Sequence, residues 1–356
     1  MKYGIILGTR PEIIKLSPVI RYLEKKKLNH FIIHTNQHFS KNMDEIFFKE
    51  LKLPSPKYNL KINQMSHAKM TGNMLIKIEE ILLQEKPTIV LVQGDTNTVL
   101  AGALCASKMN IKVGHIEAGL RSYNKNMPEE INRIITDHVS DYLFTPTNLQ
   151  KEILLKENIN NNKIFVTGNT IVDAISNNIK IAEDIRHDKY DYDYLILTFH
   201  RQENVDIKSK LENVFKGIQL IYQKYKYRII FPIHPRTKKK INEFQIDIPN
   251  CIEIVEPEGY FKFLNLMKNA KLILTDSGGI QEEACIMKIP CLTLRKDTER
   301  PETVNVGSNI LVGTNPHEIL KNFEIMICKN KEWVNPFGDG RTAERIIKII
   351  KNHDKI

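Results

Sequence analysis

The 356-residue chain lacks the features that mark membrane-spanning and secreted proteins. Its opening residues contain one brief apolar run without a small-residue cleavage site, and no segment is long and uncharged enough to cross a bilayer. The five cysteines include no CxxC pair, which indicates reduced, mostly structural thiols. We therefore expect a cytoplasmic protein that does not contact a membrane.

The common metal and cofactor motifs are missing as well. The sequence contains no HExxH, no acidic calcium loop, no P-loop and no GxSxG elbow. The turn that follows the first apolar run begins at Gly8 and does not read GxGxxG, which disfavours a nicotinamide or flavin cofactor. We expect neither a metal ion nor a cofactor.

The chain is rich in charged residues, but their distribution does not indicate one class of binding partner. The formal net charge is +10, and the densest basic run is only Lys238-Lys239-Lys240. A basic balance fits an anionic ligand, whereas dispersed lysines are explained more simply by a solvated surface. Because the lysines are scattered and no aromatic platform accompanies them, we do not expect nucleic acid as a partner.

Short β-rich runs alternate with amphipathic helical stretches along the whole chain. Near-continuous apolar runs such as TIVLVQ and LILT are typical of parallel strands buried on both faces. The chain is too long for one core, so the pattern predicts two Rossmann-like, doubly wound parallel-sheet α/β domains that face each other across a cleft. The predicted strands are Tyr3–Leu7, His30–Thr35, Thr88–Gln93, Lys112–Ile116, Tyr142–Thr145, Lys163–Val166, Tyr194–Phe199, Arg228–Ile233, Cys251–Val255, Leu272–Thr275, Pro290–Leu294 and Asn309–Val312.

The domain boundary is predicted from composition. A polar stretch, Asn177–Asp193, follows the segment TGNTIVDAI and precedes a new strand. We place the linker there, with a first domain at residues 1–176 and a second at 177–341. The remaining residues, 342–356, form a predicted C-terminal helix that could pack back on the first domain.

In open parallel sheets, ligands bind beyond the carboxyl ends of the strands, and unusual residues collect there in the first half. The turn after the first strand carries Arg10, with Lys15 one turn into the next helix. A helix N-terminus flanked by two cations suits a phosphate, although an ordinary strand-to-helix turn with exposed bases explains the same residues equally well.

Three acids follow later strands of the first half: Asp95, Glu117 and Glu129. Each has a structural explanation, because Asp95 could cap a helix, Glu117 could be an ion-pair partner, and Glu129 could pair with Arg133 in a first turn. The functional interpretation is that closely placed carboxylates divide the acid and base roles of a reaction.

The second half contributes cations and a glycine turn. His200 and His234 each end a strand, a position that by itself is only weak evidence of function. The turn Ser277-Gly278-Gly279 leads from a buried strand into a helix, so it offers free backbone N–H groups and the positive end of a helix dipole. Helix capping is the alternative. Further along lie Glu283, Arg295 and Arg300.

These motifs together resemble a known family. In order, GTRPExxK, QGDT, HIEAGLR, PEEINR, HRQEN, DSGGIQEEA and TERPE resemble the non-hydrolysing UDP-N-acetylglucosamine 2-epimerases from Gly8 to Glu302. The resemblance implies the GT-B fold, a homodimer and no cofactor. It also implies reversible conversion of UDP-N-acetylglucosamine to UDP-N-acetylmannosamine through elimination of UDP and a 2-acetamidoglucal, which would supply precursors of cell-surface polysaccharide or glycans.

The resemblance also implies roles for individual residues. In the first half, Arg10 and Lys15 match basic positions near the substrate, and Asp95, Glu117 and Glu129 match the catalytic carboxylates. The second-half matches are His200 near the diphosphate, Phe263 at the uracil with Glu258 just before its segment, Ser277, Gly278 and Gly279 at the phosphate-binding turn, Glu283 at the ribose, and Arg300 at a phosphate.

Two segments depart from the pattern of bacterial members. QHFSKNM, which begins at Gln37, stands where QHRxML is typical, and Gln202 replaces an arginine in HRQEN. Bacterial relatives bind a second, activating substrate molecule beside these segments, so we expect weak or absent activation here. A hydrolysing epimerase, a GT-B glycosyltransferase and a non-catalytic binder stay open, although the three acidic motifs argue against the glycosyltransferase.

Overall fold

The computed structural model describes residues 1–37, 47–62, 65–184, 190–257 and 259–353. In these ranges short strands alternate with helices. The strands are β1 Tyr3–Leu7, β2 His30–His34, β3 Tyr58–Asn59, β4 Ile89–Gln93, β5 Lys112–Ile116, β6 Tyr142–Thr145, β7 Ile164–Val166, β8 Tyr194–Thr198, β9 Arg228–Pro232, β10 Ile252–Val255, β11 Ile273–Thr275, β12 Cys291–Thr293 and β13 Asn309–Leu311.

The helices connect these strands. They are α1 Arg10–Lys25, α2 His67–Glu85, α3 Asn97–Lys108, α4 Pro128–Val139, α5 Asn148–Lys156, α6 Thr170–Asp184, α7 Gln202–Val205, α8 Lys208–Tyr225, α9 Pro235–Phe244, α10 Tyr260–Asn269, α11 Gly278–Ile286, α12 Pro301–Asn305, α13 Pro316–Ile327 and α14 Thr342–His353. Among the helices of the described ranges, none is both long and apolar enough to cross a bilayer.

The chain divides into two compact units, one made of Met1–Asn177 with Phe337–Ile356 and the other of Asn178–Pro336. The first unit contains a seven-stranded sheet in the order β3-β2-β1-β4-β5-β6-β7, and the second a six-stranded sheet in the order β10-β9-β8-β11-β12-β13. All strand pairs in both sheets are parallel. This order is that of Rossmann-like sheets, so the predicted doubly wound α/β class is confirmed.

Each sheet is buried on both faces. Every residue of β1, β4 and β8 is buried, which explains why these strands read as continuous apolar runs rather than alternating ones. Removing this apolar surface from water contributes about 25 cal/mol for each Å² buried. Helices cover both faces because βαβ connections place them there.

The predicted strands are all present, and no predicted strand end differs from the observed one by more than one residue. One strand, β3, was not predicted from the sequence; it is two residues long and lies at the sheet edge, where Tyr58 pairs with Ile33 of β2. The polar stretch predicted as a linker is helical in part, because α6 continues to Asp184. Residues 337–341, predicted to lie in the second domain, belong to the first unit.

The C-terminal helix is held in the first unit by a buried carboxylate. Asp173 of α6 accepts hydrogen bonds from the backbone N–H groups of Thr342 at 3.2 Å and Ala343 at 2.9 Å. Burial raises the pKa of Asp173, and the two N–H donors oppose that effect. Just before the helix, the N–H of Asn169 donates to the carbonyl of Phe337 at 2.8 Å. These contacts join the two parts of the chain that form the first unit.

We expect Asp173→Ala to destabilise the first unit by about 1–3 kcal/mol, because two buried N–H groups lose their acceptor. The melting temperature should fall by roughly 2–4 °C for each kcal/mol. The matched control is Asp339→Ala, which removes an exposed carboxylate that pairs with Arg345 at the start of the same helix. That variant should melt like the wild type, since exposed ion pairs contribute little. Equal melting temperatures for both variants would contradict the assignment.

Candidate active site

The carboxyl ends of β1, β4 and β5 lie side by side in the first unit, because these neighbouring strands are parallel. Glu12, in the first turn of α1, links the turn after β1 to the turn after β4. Its carboxylate accepts the N–H of Gly8 at 2.5 Å, the N–H of Thr9 at 3.3 Å and the hydroxyl of Thr96 at 2.5 Å. Burial raises the pKa of Glu12 to about 7, although these donors act in the opposite direction. Arg10 begins α1 beside this turn and is half-buried.

Glu117 follows β5 in a conformation that is unusual for a residue with a side chain. Its φ is 70°, in the left-handed region, and it is buried. The carboxylate accepts a hydrogen bond from Lys15 of α1 and one from Gln93 of β4, both at 2.6 Å. Backbone strain of this kind costs about 1–3 kcal/mol and concentrates at functional sites. The structure thus agrees with the ion-pair explanation of Glu117. Its strained backbone is in addition a feature that is common at functional sites.

Asp95 does not cap the helix that follows β4. That position belongs to Thr96, whose hydroxyl accepts the N–H of Val99 at 3.4 Å. The Asp95 carboxylate instead contacts Arg133, with 2.5 Å between Oδ2 and Nη2. The side-chain amide of Asn132 donates to the Asp95 carbonyl at 2.9 Å. Two adjacent residues of α4 therefore hold Asp95, one by its carboxylate and one by its backbone.

Glu129 lies in the first turn of α4 and is half-buried. The expected pair between Glu129 and Arg133 is wrong, because Nη1 of Arg133 lies 2.7 Å from Oε2 of Glu130. Glu130 is buried and also accepts the N–H groups of Ser122 at 2.9 Å and Tyr123 at 2.8 Å. In the part of the chain that the structure describes, the Glu129 carboxylate has neither an ion pair nor a side-chain hydrogen bond.

A second buried hydrogen-bond network holds Gly94, the residue before Asp95. His115 places Nε2 2.8 Å from the carbonyl of Gly94 and Nδ1 2.7 Å from Oδ1 of Asp137. Arg121 donates to the other oxygen of Asp137 at 2.7 Å. Burial alone would raise the pKa of Asp137, but His115 and Arg121 outweigh burial and lower it. No role was predicted from the sequence for His115 or Asp137. The available signals were a histidine within a buried strand and an acid on the buried face of α4.

In the second unit, Asp276 after β11 organises the end of β8. It is fully buried and accepts the backbone N–H groups of His200 at 3.0 Å and Arg201 at 2.8 Å, and the amide of Asn204 at 3.3 Å. Burial lowers the pKa of His200, and Asp276 opposes this effect only in part. Burial therefore favours the neutral form of the His200 imidazole. Its ring lies 5.5 Å from that of His234, centroid to centroid.

The turn Ser277-Gly278-Gly279 begins α11, and its two glycines lie in different surroundings. A Cβ on Gly278 would lie 2.6 Å from a carboxylate oxygen of Glu299, so packing requires glycine there. A Cβ on Gly279 would come no closer than 4.0 Å to another atom, the hydroxyl oxygen of Ser277. The packing of this unit thus leaves open space beside Gly279, at a helix start whose first N–H groups have no partner within the helix.

Arginines surround this helix start. Arg300 lies 2.7 Å from Glu282, and Arg295 lies 2.9 Å from Glu299. Burial alone would raise the pKa of Glu299, but Arg300, Arg295 and Arg201 outweigh burial and hold it at about 2. The acids that neutralise these arginines, like Asp276, were not assigned a role from sequence.

The remaining predicted residues are placed as follows. Glu283 is buried in α11, and Phe263 of α10 is partly buried against an apolar cluster that includes Met267. Glu258 and residues 38–43 of the QHFSKNM segment lie outside the described residues. Among the residues that are described, no three His, Cys, Asp or Glu side chains are grouped to hold a metal ion.

Comparison with known proteins agrees with this architecture. The family model described as UDP-N-acetylglucosamine 2-epimerase matches residues 21–351. The chain is 60% identical to the UDP-N-acetylglucosamine 2-epimerase of Methanocaldococcus jannaschii, over 98% of this chain and 99% of that protein. It is 56% identical to the enzyme of the same name from Methanococcus maripaludis, over 99% of both.

A solved structure shows the same likeness. The crystal structure of the M. jannaschii epimerase in complex with UDP-GlcNAc and UDP superposes with a TM-score of 0.91 at 58% identity, over 99% of this chain and 100% of that one. Because the family model, the sequence relatives and the structure agree over nearly the whole length, the chain belongs to the UDP-N-acetylglucosamine 2-epimerase family.

Proposed function

We propose that this protein is an isomerase that interconverts UDP-N-acetylglucosamine and UDP-N-acetylmannosamine by inverting C2, without a cofactor. The observation that carries the proposal is the 60% identity, from end to end, with the M. jannaschii protein of that name. The crystal structure of that relative, which holds UDP-GlcNAc and UDP, supports the same substrate class.

Inversion at C2 is difficult because no carbonyl group makes the C2 proton acidic. Elimination avoids this problem. The electrons of the C2–H bond form a C1–C2 double bond, the C1–O bond breaks, and UDP leaves with the bonding pair, which produces 2-acetamidoglucal. Re-addition of UDP to C1, with a proton delivered to the opposite face of C2, gives the epimer. The reaction therefore needs two proton-transfer groups and a cationic site for the diphosphate.

The first unit provides carboxylates with different partners. We assign the proton transfers to Asp95 and Glu129. Glu129 has no partner among the described residues, and Arg133 is the only described side chain that contacts the Asp95 carboxylate. Glu117 is held by Lys15 and Gln93, so we assign it to orienting the substrate and balancing charge near the reacting carbons. Arg10 and Lys15 are the basic residues beside the substrate in this unit.

The second unit provides the diphosphate site. The first N–H groups of α11 and the open space at Gly279 suit phosphate oxygens, and Arg300 adds a fixed positive charge. We assign Ser277 and Gly278 to the same turn, His200 to the diphosphate, Glu283 to the ribose and Phe263 to the uracil.

Two further proposals follow from family membership. The product would supply synthesis of cell-surface polysaccharide or glycans, and the enzyme would act as a homodimer. Ile131 and Ile135 on α4 are exposed apolar side chains that such an assembly could cover. Light scattering on purified protein measures the assembly directly.

The first prediction of the proposed function concerns the path of the C2 proton. Incubation with UDP-N-acetylglucosamine in deuterated water should give UDP-N-acetylmannosamine that carries deuterium at C2, observed by proton NMR. The proton is removed to a solvent-exchangeable carboxyl group, so the label must enter. Epimerisation without deuterium at C2 would contradict elimination, and release of free N-acetylmannosamine would identify a hydrolysing enzyme instead.

The second prediction concerns Glu129. Because its carboxylate has no described partner, Glu129→Gln should leave the melting temperature unchanged while kcat falls by roughly 10²–10⁴-fold, as for loss of a general acid or base. The matched control is Glu130→Gln, one residue along. That variant loses a buried ion pair and should lower the melting temperature. Wild-type turnover in the Glu129→Gln enzyme would remove Glu129 from the mechanism.

The third prediction concerns the diphosphate turn. Gly279→Ala should fold with a melting temperature equal to or slightly above that of the wild type, since packing leaves room for its Cβ and alanine is more stable than glycine in a helix. It should nevertheless bind UDP about tenfold or more weakly, which is the loss of one charge-assisted contact of about 1.5–3 kcal/mol. Isothermal titration calorimetry with UDP measures the effect. Gly72→Ala, on a helix with equally open surroundings, is the control and should bind UDP normally. Unchanged affinity in Gly279→Ala would show that the phosphates bind elsewhere.

A further inference from the structure

Three side chains fix the turn that carries Asp95. Arg133 holds the carboxylate, with 2.5 Å between Nη2 and Oδ2. Asn132 holds the Asp95 carbonyl at 2.9 Å, and His115 holds the preceding carbonyl, that of Gly94, at 2.8 Å. The turn is thus restrained at the backbone of Gly94, at the backbone of Asp95 and at the Asp95 carboxylate. Only Arg133 among them touches the group that would transfer a proton.

Arg133 is itself fixed and kept away from solvent. Its side chain is 4% exposed, whereas that of Asp95 is 30% exposed. Its second terminal nitrogen contacts Glu130 at 2.7 Å, and Glu130 is anchored by the N–H groups of Ser122 and Tyr123. A planar guanidinium contacted at both terminal nitrogens has a defined orientation, so it defines the position of the carboxylate it holds.

The helix that carries Arg133 reverses the usual amphipathic pattern. α4 buries Glu130, Arg133 and Asp137, while Ile131 and Ile135 are 47% and 37% exposed. A surface helix normally turns its apolar residues toward the core. Here the inward face is polar, and burying charge is unfavourable unless each charged group is paired. This arrangement indicates that the polar face of α4 serves a purpose beyond stabilising the fold.

The same helix also carries Glu129 in its first turn. Glu129 and Arg133 are four residues apart, about one helical turn and about 6 Å along the axis. Because a hydrogen-bonded helix is rigid over one turn, the backbone positions of Glu129 and Arg133 keep a constant separation. Asp95 comes from another part of the chain, and its contact with Arg133 links it to this helix.

We propose that Arg133 is a positioning residue that fixes Asp95 relative to Glu129. The inference rests on the proposed function, in which these two acids exchange protons with opposite faces of C2. Arg133 acts on the reaction through Asp95 and does not touch the substrate. Misplacement of a reacting group by about 1 Å can cost about 10²-fold in rate, so fixing one acid relative to the other affects kcat rather than substrate binding.

The test is a double-mutant cycle. Arg133→Gln should lower kcat by roughly 10–100-fold with KM changed less than about threefold. Combined with Asp95→Asn, it should lower the remaining rate less than about threefold, because the group through which it acts is already altered. Deuterium incorporation at C2, followed by mass spectrometry over long incubations, measures even the slow variants. Arg133→Lys keeps the charge and one contact and should recover part of kcat.

The control is Glu85→Gln, which removes another buried carboxylate of the first unit. Glu85 pairs with Lys2 and Lys57 near the start of β1, away from the carboxyl ends of the strands. This variant should lose stability and keep kcat, which separates a kinetic effect from loss of a buried ion pair. If Arg133→Gln fails to fold, Arg133→Lys takes its place in the cycle.

The outcomes distinguish the inference from the function it rests on. Equal losses from Arg133→Gln in the wild-type and Asp95→Asn backgrounds, or wild-type kcat in the Arg133 variants, would overturn the positioning role while Asp95→Asn remains slow. Wild-type turnover in Asp95→Asn would instead remove Asp95 from the mechanism, and the positioning role with it. A slow Arg133→Gln enzyme whose effect disappears in the Asp95→Asn background supports the inference.

Discussion

Parallel pairing of β1 with β4 and of β4 with β5 is the constraint on which the first unit's site depends. Tyr3 pairs with Ile89, and Ile89 with Lys112, so the three strands end at the same edge of the sheet. Since the strands are buried on both faces along most of their length, acidic and basic residues gather at the strand ends and in the turns beyond them. Each charge in such a turn is partly buried and needs a partner. The ion pair of Glu117 with Lys15 is a direct consequence.

This need for compensation explains why each unit contains, beside its candidate residues, more charged residues than the chemistry requires. Asp137, Glu130 and Glu299 are buried and accept hydrogen bonds from arginines or backbone N–H groups. Removing one member of such a pair leaves its partner buried and unpaired, which costs several kcal/mol. Loss of activity after substitution therefore does not by itself identify a catalytic residue. A carboxylate such as Glu129, which supports no described partner, is the cleaner probe of chemistry.

The fold could be predicted from sequence because strands buried on both faces have an apolar pattern that does not depend on their partners. β3 escaped prediction since two edge residues, Tyr58 and Asn59, show no pattern. The turns that carry the candidate residues could be located for a similar reason, as strand ends are visible in the sequence. The ion-pair and hydrogen-bond partners of these residues could not be predicted. Glu129 and Glu130 are the same residue type at adjacent positions, and only the rotation of α4, about 100° between successive residues, turns one inward and the other toward solvent.

The two glycines at the start of α11 show how a structure separates two causes of one sequence feature. Gly278 is explained by the unit itself, because the Glu299 carboxylate occupies the space a side chain would need. Glu299 is in turn held there by Arg295, so that glycine serves an internal ion pair. Gly279 has no such explanation, since packing leaves room for a Cβ and its φ is not in the left-handed region. Glycine inside the first turn costs about 0.5–1 kcal/mol relative to alanine. Gly72 shows that an open glycine inside a helix does not by itself indicate a ligand, since it too has room for a Cβ. What distinguishes Gly279 is its place at a helix start, where the first N–H groups have no partner within the helix, and this is where the proposed function places the phosphate oxygens.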